Sequence, residues 1–141
     1  MENERWGRKL GNACAKTGAM RIQLWRWSAG IFLLFMLAVA IAADRGTLPL
    51  WIRNIYRFPG GDWAGHFVLY GILAYLGAGS FHRRVRVAGR YVPLVMIVVI
   101  LLAALEELSQ FWFPLRTPDW RDLGFGVLGI LTATWLHSLT N

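Results

Sequence analysis

His66, Glu106, Glu107 and Asp122 stand inside segments that are otherwise apolar enough to cross a bilayer. An imidazole beside carboxylates can relay protons, hold a cation or grip a polar headgroup. A charge at membrane depth costs ~3 kcal/mol on the translocon scale, so such residues are site candidates by default. Asp62, His66 and Tyr70 recur every four residues and form one helical stripe. Gln110 follows Glu106 by four positions and Glu107 by three, so it neighbours both. Arg116 and Asp119 lie just beyond, between Pro114 and the next apolar run. His66, Glu107 and Asp122 are the catalytic candidates: His66 as general base or metal ligand, Glu107 as proton donor or acceptor. Asp62, Tyr70, Glu106, Gln110, Arg116 and Asp119 are the binding candidates, with Arg116 as an anion clamp.

Several of these residues have a purely structural use. Asp119, before the last apolar run, is placed to cap a helix by accepting from the backbone N–H of Asp122. Asp62 can cap its helix likewise, and Asp122 gains from the dipole of a first turn. Arg116 can neutralise nearby carboxylates, and His66 can hydrogen-bond between helices. Glu106 and Glu107 have no such use, because acids near a helix C-terminus oppose the macrodipole. They need Arg116, His66, a shared proton or a metal. The two are ~100° apart around the axis, so only one points squarely at a shared centre. No cofactor follows from the sequence. A divalent ion on His66, Glu107 and Asp122 suits oxygen and imidazole chemistry, but the spacing fits no established metal motif. Cys14 is the single cysteine, which excludes a disulfide framework or thiolate cluster. There is no nucleophile elbow or phosphate loop, and Ser109 and Thr117 have no evident activating partner.

The elements that position these groups are hydrophobic helices. The chain has 141 residues, 8 of them Trp, and a mean hydropathy of +0.42. Against the ~20 apolar residues a spanning helix needs, four segments qualify: about 24–43, 63–81, 91–113 and 120–139. The expected fold is all-α, an integral-membrane four-helix bundle, with a basic segment over 1–23 and the membrane domain over 24–141. The basic start, the apolar run from Ile31 and Ala40-Ile41-Ala42 also resemble a cleavable signal sequence. The stretch is nevertheless long enough to span, so an uncleaved anchor is expected. From Leu48 to Phe58, apolar residues at helical spacing with Arg53 and Arg57 on another side suggest a short amphipathic helix in the interface.

The net charge of +7 does not indicate nucleic acid, since Lys and Arg lie between hydrophobic spans and build no recognition helix. They orient the chain instead. Arg5, Arg8, Lys9, Lys16, Arg21 and Arg26 precede the first span, and Arg83, Arg84, Arg86 and Arg90 fill the turn between the second and third. The positive-inside rule then places both termini in the cytoplasm. Trp25, Trp27, Trp63, Tyr91, Trp112 and Trp120 fall near helix ends, as interfacial anchors do.

In this topology three helices bring polar groups to one layer of the outer leaflet. At ~1.5 Å per residue, His66 lies ~6 Å below Asp62, Asp122 ~5 Å below Asp119, and the glutamates roughly 10 Å below Phe113. His82 and His137 fall at the cytoplasmic ends, so no ion wire crosses the membrane and transport by this chain alone is not expected. Gly71, Ala74 and Ala78 on the second helix, and Gly126, Gly129 and Ala133 on the fourth, permit close backbone approach.

Asp62-Trp63-Ala64-Gly65-His66-Phe67-Val68-Leu69-Tyr70, Glu107-Leu108-Ser109-Gln110 and Arg116-Thr117-Pro118-Asp119-Trp120-Arg121-Asp122, with Gly129, together resemble the VanZ-like family of small membrane proteins. The resemblance covers roughly residues 62 to 129. It departs at Trp63, where the family usually has Lys, and at Gly126, where it usually has Asn, so that Asn's role is vacant or filled by another group. The resemblance implies a multi-pass bacterial inner-membrane protein. The family is named for a protein that gives low-level resistance to the glycopeptide teicoplanin, and no reaction is established for it.

Three functions fit. One is an enzyme, intact or degenerate, acting on a lipid-linked envelope molecule. Another is a receptor or shield that binds an envelope headgroup or a glycopeptide-like compound. The third is a structural or accessory subunit whose polar cluster only fixes helix packing. Membrane lipids are the expected partners in each case.

Overall fold

The computed structural model describes the backbone of residues 2–56, 58–113 and 116–140, and their side chains from residue 16 onward except at 55 and 56. Five α-helices and one hairpin follow in the order α1 (Glu2–Asp44), α2 (Leu50–Tyr56), α3 (Gly61–Ser80), β1 (Arg84–Val87), β2 (Arg90–Pro93), α4 (Leu94–Ser109) and α5 (Trp120–Thr140). A 3-10 turn at Gln110–Trp112 extends α4.

The 43-residue α1 is ~65 Å long, about twice the thickness of a bilayer's hydrocarbon core. Its basic start continues into the apolar part without a break. Among the described residues, three segments are long and apolar enough to cross a membrane: Lys16–Asp44, Leu94–Trp112 and Trp120–Thr140. The expected fourth, α3, has 20 residues and is not among them; it carries Asp62 and His66 in its first two turns. α3 is the central helix, packed against α1, α4 and α5, so a large share of its surface meets protein and needs no lipid-compatible side chains.

The small residues act as expected. Gly71, Ala74, Ala78, Gly126, Gly129 and Ala133 are all buried. A Cβ at Gly129 would run into the backbone carbonyl of Phe67, and one at Gly71 would meet the Gly129 carbonyl oxygen at 3.3 Å. The α3–α5 crossing is therefore backbone against backbone. Around it Leu73, Val95, Val99, Ala103 and Ile130 complete a compact core. At the opposite end from Asp62, Trp25, Tyr75 and His137 form an edge-to-face cluster, with centroids 5.3 to 6.4 Å apart, that ties α1 to α3 and α5.

Two expectations are corrected here. The chain is not wholly α: where a plain turn was expected, β1 and β2 form an antiparallel hairpin pairing Val85 with Val92 and Val87 with Arg90. The third expected helix consequently starts at Leu94, not Tyr91. Arg84-Val85-Arg86-Val87 alternates with the two-residue period of a strand. Ala88 (φ 49°) and Gly89 (φ 82°) both adopt the positive φ of a type I′ turn. The short helix expected within 48–58 is present as α2, while Arg57 lies outside the described residues.

Candidate functional site

The polar side chains of α3, α4 and the start of α5 converge on one cavity of about 520 Å3. Asp62, His66 and Tyr70 reach it as consecutive turns of α3, with Glu106 and Gln110 from α4, Arg116 from the loop and Asp122 from α5. Seven of the nine expected site residues thus share a single chamber. Glu107 and Asp119 lie outside its lining and are joined to it through hydrogen bonds.

Those bonds show how the acids are accommodated. Glu106 Oε1 accepts from the Arg116 guanidinium at 3.2 Å and from the Gln110 amide at 3.0 Å. Glu107, 3% exposed, accepts the Asp119 backbone N–H at Oε1 (2.5 Å) and the Gln110 amide at Oε2 (3.3 Å). Asp119 immediately precedes α5. Glu107, unfavourable at the end of α4, therefore lies at the favourable N-terminal end of α5. The expected division between the two glutamates is accordingly modified: Glu106 lines the chamber, while Glu107 binds α4 to the α5 entrance.

The cap expected at Asp119 is present, on the N–H one residue earlier than expected: its carboxylate accepts from the Arg121 N–H at 2.9 Å, while the Asp122 N–H bonds the Asp119 backbone carbonyl. The Asp119 N–H itself serves Glu107. The cap expected at Asp62 is not found among the described residues. The residue before α3 is Gly60, at φ 84° and without a side-chain cap, which leaves Asp62 in the first turn and available to the cavity.

Two oxygens remain unmatched. Glu106 Oε2 and Asp122 Oδ1 are both buried, and neither has a hydrogen-bond partner among the described residues. A buried acceptor without a partner is costly, so a native structure that keeps two of them calls for an explanation. Ligand atoms of His66, Glu106 and Glu107 all lie within 4.8 Å of one another. The metal-capable set is therefore these three, with Glu106 in the place expected for Asp122. Ser109 is no free nucleophile, since its hydroxyl bonds the Glu106 backbone carbonyl at 2.6 Å.

The departures from the resembled pattern have local explanations. A Cβ at Gly126 would approach the Tyr70 ring to 3.2 Å, so the space an Asn side chain would need is held by Tyr70. Trp63 stacks on Phe125, with centroids 5.6 Å apart and planes inclined by 6°, and the Arg121 guanidinium lies 5.5 Å from its ring centre. Trp63 thus joins the start of α3 to that of α5 by stacking and a cation–π contact.

The cavity also has a wall that the sequence reading missed. Leu33, Met36, Leu37, Ala40 and Ala43 of α1 form an apolar side, and Arg53 reaches in from α2. Nothing in the apolar run of α1 distinguishes a cavity-facing residue from a lipid-facing one. Arg53 did carry a signal, as the cationic side of an amphipathic segment next to the site.

Comparison with family models, with curated proteins and with solved structures returns no match.

Proposed function

We propose that this chain is a multi-pass bacterial inner-membrane protein of VanZ-like type. It is a four-helix bundle with both termini in the cytoplasm. Its outer-leaflet chamber binds or modifies a lipid-linked envelope molecule or a glycopeptide-like compound. The observation that supports this reading most is the two-sided lining of the cavity. One wall is aliphatic α1; the other carries His66, Glu106, Arg116 and Asp122. A headgroup attached to a chain fits such a space, with the chain along α1 and its polar end against α3, α4 and α5. The Arg-rich turn and N-terminal segment set the orientation by the positive-inside rule.

The test is to isolate the full chain in native nanodiscs and identify its lipids by mass spectrometry. A lipid-linked envelope precursor should accompany the wild type and be depleted in His66→Ala and Arg116→Lys, the latter turning a planar fork into a point charge. Both variants should reach wild-type membrane abundance. Bulk phospholipid alone in the wild type would overturn the reading.

A structural role has one observation in its favour, the chain of bonds from Arg116 through Glu106, Gln110 and Glu107 to Asp119. Under that reading the same two variants lose thermal stability before any lipid is lost.

A further inference from the structure

The geometry points to a divalent transition-metal site formed by His66, Glu106 and Glu107, with Asp122 facing the same chamber. It rests on the chamber described above and adds an inorganic ligand to it.

Three observations support it independently. The donor set is one imidazole and two carboxylates with candidate atoms mutually within 4.8 Å, a nitrogen–oxygen set that suits Zn2+, Mn2+ and related ions. Each carboxylate is also already oriented. Arg116 and Gln110 hold Oε1 of Glu106, and the Asp119 N–H holds Oε1 of Glu107. Metal-ligating carboxylates are typically steadied by outer hydrogen bonds of this kind. Finally, Glu106 Oε2, the oxygen those bonds leave over, is buried with no partner among the described residues. Asp122 repeats that pattern: 8% exposed, lining the chamber, with Oδ1 buried and unmatched.

Charge points the same way. The chamber contains Asp62, Glu106 and Asp122 against Arg53 and Arg116, and Arg116 is already paired with Glu106. A cation relieves the remaining negative charge and gives Glu106 Oε2 a partner, while Asp122 lines the same chamber outside the three-residue set. Ligands ~2.1 Å from a tetrahedral ion are ~3.4 Å apart. Binding therefore draws the three side chains together by an ångström or so, within reach of small χ rotations.

The experiment uses the full chain in nanodiscs of zwitterionic phospholipid, titrated with Zn2+ alone by calorimetry, and with Co2+ followed by its visible absorption. The wild type should bind one equivalent that is absent or at least tenfold weaker in Glu106→Gln and in His66→Ala. Co2+ should show the intense bands of a low-coordinate nitrogen–oxygen site in the wild type alone. Zn2+ should raise the wild-type melting temperature and leave that of Glu106→Gln unchanged. Melting without metal checks that Glu106→Gln is folded, and Gln can still accept from Arg116. Equal Zn2+ uptake by wild type and both variants, or no uptake by wild type, overturns the assignment. No envelope lipid enters this titration. Its failure therefore leaves the proposed lipid ligand standing, and failure of the lipid experiment leaves the metal site standing.

Discussion

Glu107 is the residue whose removal separates holding the fold from serving the chamber. Its carboxylate receives the Asp119 backbone N–H and the Gln110 amide in a nearly water-free setting. Glu107→Ala leaves both donors without an acceptor, at ~1–3 kcal/mol for a stranded buried group. A drop of several degrees in melting temperature in detergent is expected, with loss of protection at the start of α5 in hydrogen exchange. Glu107→Gln keeps an acceptor oxygen for the Asp119 N–H but turns an NH2 towards the Gln110 amide, so its melting temperature should fall between those of wild type and Glu107→Ala. If Ala and Gln lower stability equally, the Asp119 bond is not what stabilises this junction. Sequence spacing brought these residues to one place but left their orientations open. The periodicity of Asp62, His66 and Tyr70 was enough to place them on one face, and the i+3 and i+4 relation of Gln110 to the glutamates gave two true hydrogen bonds. Which glutamate faced inward depended on where the chain after Pro118 returned, and local spacing holds no record of that.

Elements were legible in proportion to how far local pattern decides them. The helices follow from hydropathy, and the α3–α5 crossing follows from small residues at spacings of three and four. That crossing gives a sharp pair of predictions. Gly129→Ala forces a methyl into the Phe67 carbonyl, so the helices have to separate. Membrane abundance should fall severalfold, or stability by ~3 kcal/mol as for an overpacked core. Gly124→Ala, on the same helix with nothing within 4 Å of its Cβ, should instead gain ~0.5–1 kcal/mol from reduced backbone entropy. If both substitutions behave alike, close approach is not what the small residues provide. The hairpin was hidden by its length, since four-residue strands inside an Arg-rich connection read more readily as a topogenic turn. Its weak point is Ala88, a non-glycine residue at φ 49°, where an L-residue costs ~1–2 kcal/mol. Ala88→Gly should relieve part of that strain and slow amide exchange across residues 84–93. Faster exchange there would show that the turn is not of type I′.

At the scale of the whole molecule, the helices differ in whether they can enter a membrane unaided. α1, α4 and α5 each hold a stretch long and apolar enough to do so, whereas α3 carries Asp62 and His66 in its first two turns. Yet α3 supplies Asp62, His66 and Tyr70 to the chamber and touches every other long helix. A helix that supplies three site residues is therefore one that depends strongly on its neighbours. Its polar atoms and glycines are tolerable only where protein surrounds them, because an isolated helix would present them to hydrocarbon. In a translocon-insertion assay with single segments, α1, α4 and α5 should integrate efficiently and α3 poorly. Within the intact chain, glycosylation or labelling tags should place the Ala88–Gly89 turn in the cytoplasm and Gly46 outside, which requires α3 to span. His66→Leu with Asp62→Leu should convert the isolated segment to efficient insertion while emptying the chamber of two polar groups. Efficient insertion of unmodified α3 alone would remove the dependence. Tags reporting the Ala88–Gly89 turn outside would remove the topology, and with it the assignment of the chamber to the outer leaflet.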